Sequence, residues 1–524
     1  MSQNERVRVI GSRFGHVSGH IMSSSRTSGI LLHPTSLPGR YGIGEIGHEA
    51  YRFVDFLATT GQQLWQVLPL GPTGHGNSPY HCYSSMAGNP LLISLEHLRD
   101  RNLLDQSDLD NLPDYPVDYV DFEQVASAKL KLLDKAAETF HASANEEDRE
   151  AYARFCEEAS FWLDDYAFFM ALKQAHNGAS WSEWERAIAS REPEAMQEWH
   201  SKLSVEISHH KYKQFEFHRQ WSALKKYANE NGIQIIGDIP IYVAHDSVDV
   251  WASPNNFMID PETLQPSEMA GVPPDYFSAT GQLWGNPTYN WEELEKTNFH
   301  WWLMRIRAIL DYVDWIRVDH FRGFQAYWAV EAGETTAING KWIEAPGEKF
   351  FNVVKQELGS LPILAEDLGL VTPEVEALRD QFEFPGMKIL QFAFGSDSDN
   401  FYLPFNYPRN CIVYTGTHDN DTTVGWFNQL EEHERNRVLM FLGCLSSDGI
   451  HWDLIRVAMM SIADRAIIPM QDLFGLGSEF RMNTPGQAEG NWAWRYHPEW
   501  ITEDIIHKLR ELTRFSGRVP DHWH

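Results

Sequence analysis

Short runs of apolar residues, each ended by polar residues, glycine or proline, recur along this 524-residue chain. Most of these runs are nearly continuous in apolar character rather than alternating, which is typical of parallel strands buried on both faces. We predict eight such strands, at residues 30–33, 64–70, 234–239, 315–319, 363–366, 387–392, 412–417 and 466–471.

Helical patterns separate most of the predicted strands. Apolar residues spaced i, i+4, i+7 and i+11 precede the third strand, and the pattern ends at Asn231-Gly232, a pair that terminates helices: Phe217, Trp221, Leu224 and Ala228. Strands that alternate with helices favour an α/β fold, a (β/α)₈ TIM barrel. We expect residues 29–524 to form this barrel, after an N-terminal extension at 1–28.

Two long gaps between strands indicate insertions on the C-terminal face of the barrel, where barrel enzymes build active sites. The first, at about 80–210, is predicted to be mostly helical because Trp162, Tyr166 and Phe169 form an apolar stripe. The second, at about 251–290, is rich in proline and is predicted to be loop-rich and to lie over the cleft. The roughly 50 residues after the eighth strand are too few for a C-terminal β-sandwich of about 100 residues.

Charge and cysteine usage exclude several classes of protein. The formal net charge is −30, and no cluster of Lys and Arg stands out, so we expect no nucleic-acid partner. No apolar run reaches the roughly 18 residues that a membrane span needs. The four cysteines include no CxxC pair, which argues against a zinc knuckle and a disulfide framework and favours the cytoplasm.

The composition of residues 1–28 allows one alternative to the cytoplasm as the cellular location of the protein. This segment is rich in Arg and Ser and holds one acidic residue, Glu5, a composition compatible with an organelle transit peptide. We expect a disordered extension of a cytoplasmic protein, with a plastid as the alternative.

Polar residues follow the ends of most predicted strands. A single Asp after a strand commonly caps the next helix, but a set of such residues at one rim of a barrel indicates a site. The set is His33, Asp238, Arg317, Asp319, Glu366, Asp367, His418, Asp419 and Asp472. The chain also has 20 Trp, and aromatic rings near polar loops stack on sugars.

The alternation of side chains along a strand predicts the direction of some of these residues. Side chains alternate along a strand, so Arg317 and Asp319 point to the same side, and the guanidinium should keep Asp319 ionised, as a nucleophile requires. Glu366 is in phase with Leu364 and would hold its proton if shielded from water. Phase does not choose between Glu366 and Asp367. One ionised and one protonated carboxyl are the groups that glycosidic bond cleavage uses.

Three segments resemble the catalytic regions of 4-α-glucanotransferases, the amylomaltases or disproportionating enzymes of glycoside hydrolase family 77. They are Arg317-Val318-Asp319-His320-Phe321-Arg322-Gly323, Leu364-Ala365-Glu366-Asp367-Leu368-Gly369 and Thr417-His418-Asp419-Asn420. Further matches are Ser78-Pro79-Tyr80, Gly88-Asn89-Pro90-Leu91, Gly237-Asp238-Ile239-Pro240-Ile241-Tyr242 and Gly281-Gln282-Leu283-Trp284-Gly285-Asn286-Pro287. The resemblance extends from about residue 29 to about residue 494.

The resemblance implies a role for each matched carboxylate. Asp319 would be the nucleophile, Glu366 rather than Asp367 the acid/base, and Asp419 the transition-state stabiliser. The reaction would be retaining transfer of α-1,4-glucan segments from a donor malto-oligosaccharide to the 4-hydroxyl of an acceptor, through a covalent β-glucosyl-Asp intermediate. Substrate contacts would come from Tyr80, Asp238, Arg317, His418, Ser78, Gln282, Trp284 and Phe392. No metal or cofactor is implied.

The loop at 270–282 would arch over the cleft, and Trp284, Tyr276 and Phe277 are candidates for a lid that keeps water out. Relatives often carry an aromatic residue where this chain has His75, so the glucan contact made there is in doubt. We expect malto-oligosaccharides and α-1,4-glucans as partners, no membrane, and a monomer or weak homo-oligomer.

Three alternatives remain. An α-glucan hydrolase of the α-amylase clan would share the chemistry and differ in the acceptor. A barrel metalloenzyme would often have an HxH pair on the first strand, where this chain has His33-Pro34-Thr35, and no HExxH helix stands out. A non-catalytic sugar-binding protein would lack a catalytic carboxylate, yet all three positions are filled.

Overall fold

The computed structural model describes residues 26–274, 278–369, 371–487 and 489–523, apart from the side chain of His75. Within these residues the strands, numbered along the chain, are β1 (Thr27–Leu31), β2 (Leu64–Gln66), β3 (Gln234–Pro240), β4 (Glu268–Val272), β5 (Gln282–Pro287), β6 (Trp315–Asp319), β7 (Ala326–Glu331), β8 (Gly340–Glu344), β9 (Ile363–Ala365), β10 (Gly386–Ile389), β11 (Cys411–Tyr414) and β12 (Arg465–Pro469).

Eight of these strands close into a parallel barrel, in the order β1, β2, β3, β6, β9, β10, β11 and β12. Each predicted strand is present, so the (β/α)₈ prediction is confirmed. Several strands are shorter than predicted at their C-terminal ends. For example, β12 ends at Pro469, where a helix begins at Met470, and β10 gives way to a 3₁₀ turn at Leu390–Phe392.

The start of the folded chain differs from the prediction. Strand β1 begins at Thr27, and the Arg26 guanidinium donates hydrogen bonds to the carbonyls of Ser516 (2.7 Å) and Met459 (2.8 Å). Residues 26–28, assigned above to a disordered extension, therefore belong to the barrel. A polar start to a strand gives no apolar signal, which explains the error. Residues 1–25 lie outside the described part of the chain.

Helices surround the barrel and fill the segment between β2 and β3, with a last helix near the C-terminus. They are His48–Thr60, Leu95–Asp100, Gln106–Asp110, Phe122–Ser143, Glu146–Glu158, Ser160–Ala175, Arg186–Ala189, Pro193–Lys202, Ser204–Glu230, Val248–Ala252, Trp291–Lys296, His300–Tyr312, Gly347–Leu358, Pro373–Gln381, Thr423–Gln429, Glu432–Leu442, Ile450–Met460, Met470–Phe474 and Glu503–Phe515. Over the described residues, no helix is long and apolar enough to span a bilayer.

A second sheet was not predicted. Strands β5, β4, β7 and β8 form an antiparallel sheet in that order, so the 251–290 segment is not simply loop-rich. Its partners β7 and β8 come from the chain after β6. The edge strands β5 and β8 are largely exposed or half-buried, so they lack the apolar runs that revealed the barrel. This sheet carries Gln282 and Trp284.

Strand register brings the polar strand ends together. Asp238 of β3 is paired with Arg317 of β6, and Pro240 is paired with Asp319. On the other side of β6, Val318 is paired with Ala365 of β9, the residue before Glu366. Neighbouring parallel strands therefore deliver three carboxyl groups and one guanidinium to the same rim of the barrel.

Candidate active site

Arg317 lies at the centre of the polar cluster. Its side chain is buried, its Nη1 donates a 2.5 Å hydrogen bond to Oδ2 of Asp238, and its Nη2 lies 2.9 Å from Oδ1 of Asp319. Arg317 and Asp319 thus face the same side of β6, as strand phase predicts. One planar guanidinium bridges two carboxylates, which offsets the repulsion between them in a site of low polarity.

Asp238 is buried at the end of β3. Burial raises the pKa of its carboxyl to about 6, because the loss of hydration outweighs the opposing charge of Arg317. The Tyr80 hydroxyl donates to Oδ2 of Asp238 at 2.9 Å, while Oδ1 is buried and has no hydrogen-bond partner among the described residues. That oxygen is available to accept a hydrogen bond from a ligand hydroxyl.

Glu366 follows β9, and its carboxyl accepts two backbone hydrogen bonds. The N–H of His320 donates to Oε2 at 2.6 Å, and the N–H of Leu368 donates to Oε1 at 3.0 Å. Burial, followed by the negative charge of Asp319, raises the pKa of Glu366 to about 8 despite these bonds and the charge of Arg317. Glu366 is therefore largely protonated at neutral pH, the state from which a carboxyl donates a proton.

Asp367 points elsewhere. Its Oδ2 accepts a 2.5 Å hydrogen bond from Nη1 of Arg379, and its Oδ1 accepts one from the N–H of Met387 at 2.7 Å. A Cβ atom at Gly386 would lie 2.4 Å from the same carboxylate. Asp367 thus ties β10 to the helix Pro373–Gln381, whereas Glu366 is the carboxyl whose pKa is raised in part by the charge of Asp319.

Asp472, another residue at a strand end, is also part of the scaffold. Its buried carboxylate accepts hydrogen bonds from the hydroxyls of Thr415 (2.5 Å) and Thr423 (2.7 Å) and from the N–H of Thr423 (2.6 Å). All of these bonds lie between the chain after β11 and the chain after β12. Asp472 therefore holds these two segments together, which is a structural role.

Asp419 is the third predicted carboxylate. Its Oδ2 lies 3.3 Å from Nε2 of His418, and its Oδ1 accepts a 2.6 Å hydrogen bond from the amide of Asn483. Burial acts to raise the pKa of Asp419, but His418, Asn483 and the charge of Arg317 together hold that pKa below its usual range. Asp419 is therefore ionised at neutral pH.

Three residues of the site were missed by the sequence analysis: His320, Asn483 and Trp492. The backbone N–H of His320 reaches Glu366 because His320 adopts a left-handed conformation (φ 52°) directly after β6. Asn483 bonds Asp419, and the Trp492 ring lies 5.7 Å from that of Tyr80 and 5.9 Å from that of His418. Asn483 and Trp492 belong to the irregular chain after β12, and its position on the C-terminal face was the available signal.

The remaining predicted residues line the same end of the barrel. The Tyr80 ring stacks on His418 with centroids 5.2 Å apart, and the Ser78 hydroxyl accepts from the N–H of Tyr80 at 3.2 Å. The Trp284 ring meets His320 edge-on at 4.9 Å, and its Nε1 donates to Oε1 of Gln282 at 3.2 Å.

Phe392 is less closely tied to the carboxylates than the residues above. Phe392 follows β10, is 37% exposed, and packs edge-on against Tyr402 at 5.4 Å. Tyr276 and Phe277, predicted to form a lid with Trp284, lie outside the described residues.

His33, at the end of β1, stays uncharged at neutral pH. Burial, followed by the neighbouring His418, lowers its pKa to about 3. In the described residues no group of three or more His, Cys, Asp or Glu is placed to hold a metal ion.

The sequence of this chain is similar to those of known proteins. A family model described as 4-alpha-glucanotransferase matches residues 32–502. A 4-alpha-glucanotransferase of Synechocystis sp. is 55% identical over 499 residues, which cover 95% of this chain and 99% of the relative. The one of Solanum tuberosum, named chloroplastic/amyloplastic, is 44% identical over 503 residues, covering 94% of this chain and 87% of the relative.

A solved structure shows the same similarity in three dimensions. The amylomaltase from Streptococcus agalactiae, in complex with acarbose, matches with a TM-score of 0.91 and 40% sequence identity. The match covers 94% of this chain and 100% of the amylomaltase.

Proposed function

The chain belongs to the 4-alpha-glucanotransferase family, an enzyme family that transfers glucosyl units, and we propose that it does so by a retaining, two-step displacement. The observation that carries this proposal is the difference between two neighbouring carboxyl groups. Glu366 is held protonated by burial and by the charge of Asp319, whereas Asp319 is paired with the buried guanidinium of Arg317. Retaining cleavage of a glycosidic bond uses one carboxyl group as the proton donor and a second as the nucleophile.

In the first step, Asp319 attacks the anomeric carbon of the donor glucan. The bond from that carbon to the glycosidic oxygen breaks, and Glu366 gives its proton to the departing oxygen. The donor segment is left as a covalent β-glucosyl ester of Asp319, and Glu366 is left ionised.

In the second step, ionised Glu366 takes the proton from the 4-hydroxyl of an acceptor glucose or glucan. The acceptor oxygen attacks the anomeric carbon, the ester bond to Asp319 breaks, and an α-1,4 linkage forms. Two inversions give net retention. The Glu366 carboxyl regains its proton, so the enzyme returns to its starting state.

The other residues of the site bind the sugar in this mechanism. The unpartnered Oδ1 of Asp238 accepts a hydrogen bond from a ring hydroxyl, and ionised Asp419 stabilises the positive charge that develops on the sugar. Tyr80, stacked on His418, provides an aromatic wall beside Asp238. Trp284 packs on His320 beside Asp319 and shields the ester from water.

Incubation with maltotriose tests this function. We expect a ladder of longer glucans together with glucose, whereas maltose and glucose alone would indicate the alternative, an α-glucan hydrolase. Asp319→Asn should abolish both activities with the fold unchanged by circular dichroism. Asp397→Asn is the matched control, because Asp397 is exposed on the same face of the barrel after β10. Full activity of Asp319→Asn would refute the nucleophile assignment.

The location and assembly of the enzyme are also proposals. A cytoplasmic enzyme is favoured by the cysteine pattern, and a plastid is the alternative because the Solanum tuberosum relative is named chloroplastic/amyloplastic. Microscopy of a fluorescent fusion to the C-terminus of the full chain distinguishes the two. Light scattering after size-exclusion chromatography tests the expected monomer or weak homo-oligomer.

A further inference from the structure

The carboxylate of Asp419 is held by a segment about sixty residues further along the chain. The amide of Asn483 donates a 2.6 Å hydrogen bond to Oδ1, the oxygen opposite to the one that faces His418. The side chain of Asp419 is 45% exposed, so solvent alone would leave it free to rotate. The contacts to both oxygens limit the rotation of the carboxylate.

Asn483 is itself fixed to the loop that carries Asp419. Its backbone N–H donates to the carbonyl of His418 at 3.1 Å. Arg481 joins the two segments from the other side, since its Nη2 donates to the carbonyl of Asp419 and its Nε donates to the carbonyl of Asn483 at 2.6 Å. These bonds set the distance between the amide of Asn483 and the carboxylate.

A second set of hydrogen bonds joins the same two segments further from the Asp419 carboxylate. The Ser478 hydroxyl donates to Oδ2 of Asp421 at 2.7 Å, and the amide of Gln429 donates to the Ser478 oxygen at 2.9 Å. The chain from Ser478 to Asn483 thus lies across the loop from His418 to Asp421 and is bonded to it at both ends. Asn483 is the residue of this chain whose side chain is bonded to the carboxylate.

We propose that Asn483 is a positioning residue that orients the Asp419 carboxylate for contact with the glucan ring. The inference rests on the proposed function, in which Asp419 stabilises the charged state of the sugar. An amide suits this position because it donates a hydrogen bond without adding charge. A carboxylate at position 483 would repel Asp419, and an apolar residue would leave Oδ1 without its protein donor.

A double-mutant cycle on acarbose affinity tests the inference, because acarbose is the ligand of the similar amylomaltase from Streptococcus agalactiae. Acarbose dissociation constants are measured by calorimetry for the wild type, Asn483→Ala, Asp419→Ala and the double variant. We expect Asn483→Ala to weaken binding about tenfold when Asp419 is present, the loss expected for one charge-assisted hydrogen bond. In the Asp419→Ala background the same change should alter binding less than about twofold.

Matched variants separate orientation from packing. Ser478→Ala removes the hydrogen bond from this segment to Asp421 and leaves the contacts of Asp419 intact. It should keep acarbose affinity within about twofold of the wild type. Asn483→Leu keeps the branched shape of the side chain, with bulkier methyl groups, and removes the donor, so it should bind acarbose as weakly as Asn483→Ala. This variant also keeps the test open if the alanine variant fails to fold, since folding is checked for each protein by thermal unfolding.

Three outcomes overturn the inference, and the third is distinguishable from the first two. Equal losses from Asn483→Ala in both backgrounds, or wild-type affinity in folded Asn483→Leu, would refute the role of Asn483 and leave the proposed function intact. Wild-type affinity and turnover in Asp419→Ala would refute the role of Asp419, and with it the inference.

Discussion

Replacement of the Glu366 carboxyl should stabilise the protein relative to the wild type, and this difference should grow as the pH rises. The pKa of Glu366 is about 8 in the folded protein against an ordinary value of 4.5. Between these values the unfolded chain releases a proton that the folded protein retains. The folded state binds more protons, so the free energy of unfolding falls as the pH increases through this window. The glutamine of Glu366→Gln does not titrate, so the variant does not show this fall in the free energy of unfolding.

The magnitude follows from the width of the window. Each pH unit in which folded and unfolded protonation differ is worth about 1.4 kcal/mol, so the interval from about pH 5 to about pH 8 gives at most about 4 kcal/mol. The partial exposure of Glu366 reduces this to about 3 kcal/mol. An unfolding entropy of about 2 cal/mol/K per residue over about 500 residues converts this to a change of about 3 °C in Tm.

The assay is differential scanning calorimetry of the wild type and Glu366→Gln at several pH values from 5 to 8. The glutamine amide places an N–H₂ group against one of the two backbone donors, His320 or Leu368. The loss of that hydrogen bond lowers the free energy of unfolding by an amount that does not vary with pH. The Tm of the variant minus that of the wild type should therefore rise by about 3 °C across the range, whatever its value at pH 5.

An exposed glutamate provides the control. Glu374 lies in the first turn of the helix Pro373–Gln381, and backbone hydrogen bonding at this turn lowers its pKa below the usual value. It is ionised in both states throughout the range, so the Tm difference for Glu374→Gln should be flat. A flat difference for Glu366→Gln as well would show that Glu366 is not held protonated, and would refute the physical basis of its role as the acid.

Three further predictions concern turnover of maltotriose. Wild-type kcat/KM should fall about tenfold per pH unit above about pH 8, because ionised Glu366 has no proton to donate; a flat profile to pH 10 would contradict this. Arg317→Lys should lower kcat at least about 100-fold, because an ammonium does not bridge Asp238 and Asp319 as the planar guanidinium does, and activity near wild type would contradict this. Trp284→Ala should raise the ratio of glucose released to longer glucans formed, measured by chromatography, whereas an unchanged ratio would mean that Trp284 only packs on His320.

The barrel and half of the site could be predicted because they depend on local patterns. Parallel strands buried on both faces are apolar at most positions, and such runs indicated the eight strands of the barrel. Within one strand the alternation of side chains is rigid, so placing Arg317 beside Asp319 needed no knowledge of the rest of the fold. Asp238 was already in the predicted set at the strand ends, and the register between β3 and β6 places it beside Arg317.

The rest of the site depends on contacts that no local pattern records. Strand β9 ends at Ala365, so alternation no longer governs Glu366 and Asp367. Their directions are set by the His320 N–H on one side and by Arg379 on the other. The antiparallel sheet was missed for a related reason, since its edge strands are exposed and carry no apolar run.

The three carboxyl groups share a rim, yet each has a different electrostatic environment. Asp319 faces a guanidinium, Asp419 has a neutral amide and an imidazole, and Glu366 has two backbone N–H donors together with the negative charge of Asp319. The charge of Asp319 helps to keep Glu366 protonated, so formation of the covalent ester would remove that charge and lower the pKa of Glu366. Glu366, left ionised by the first step, would then stay ionised at neutral pH until it takes the proton of the acceptor hydroxyl. In the proposed mechanism, the interaction between Asp319 and Glu366 would therefore serve both the acid and the base role of Glu366.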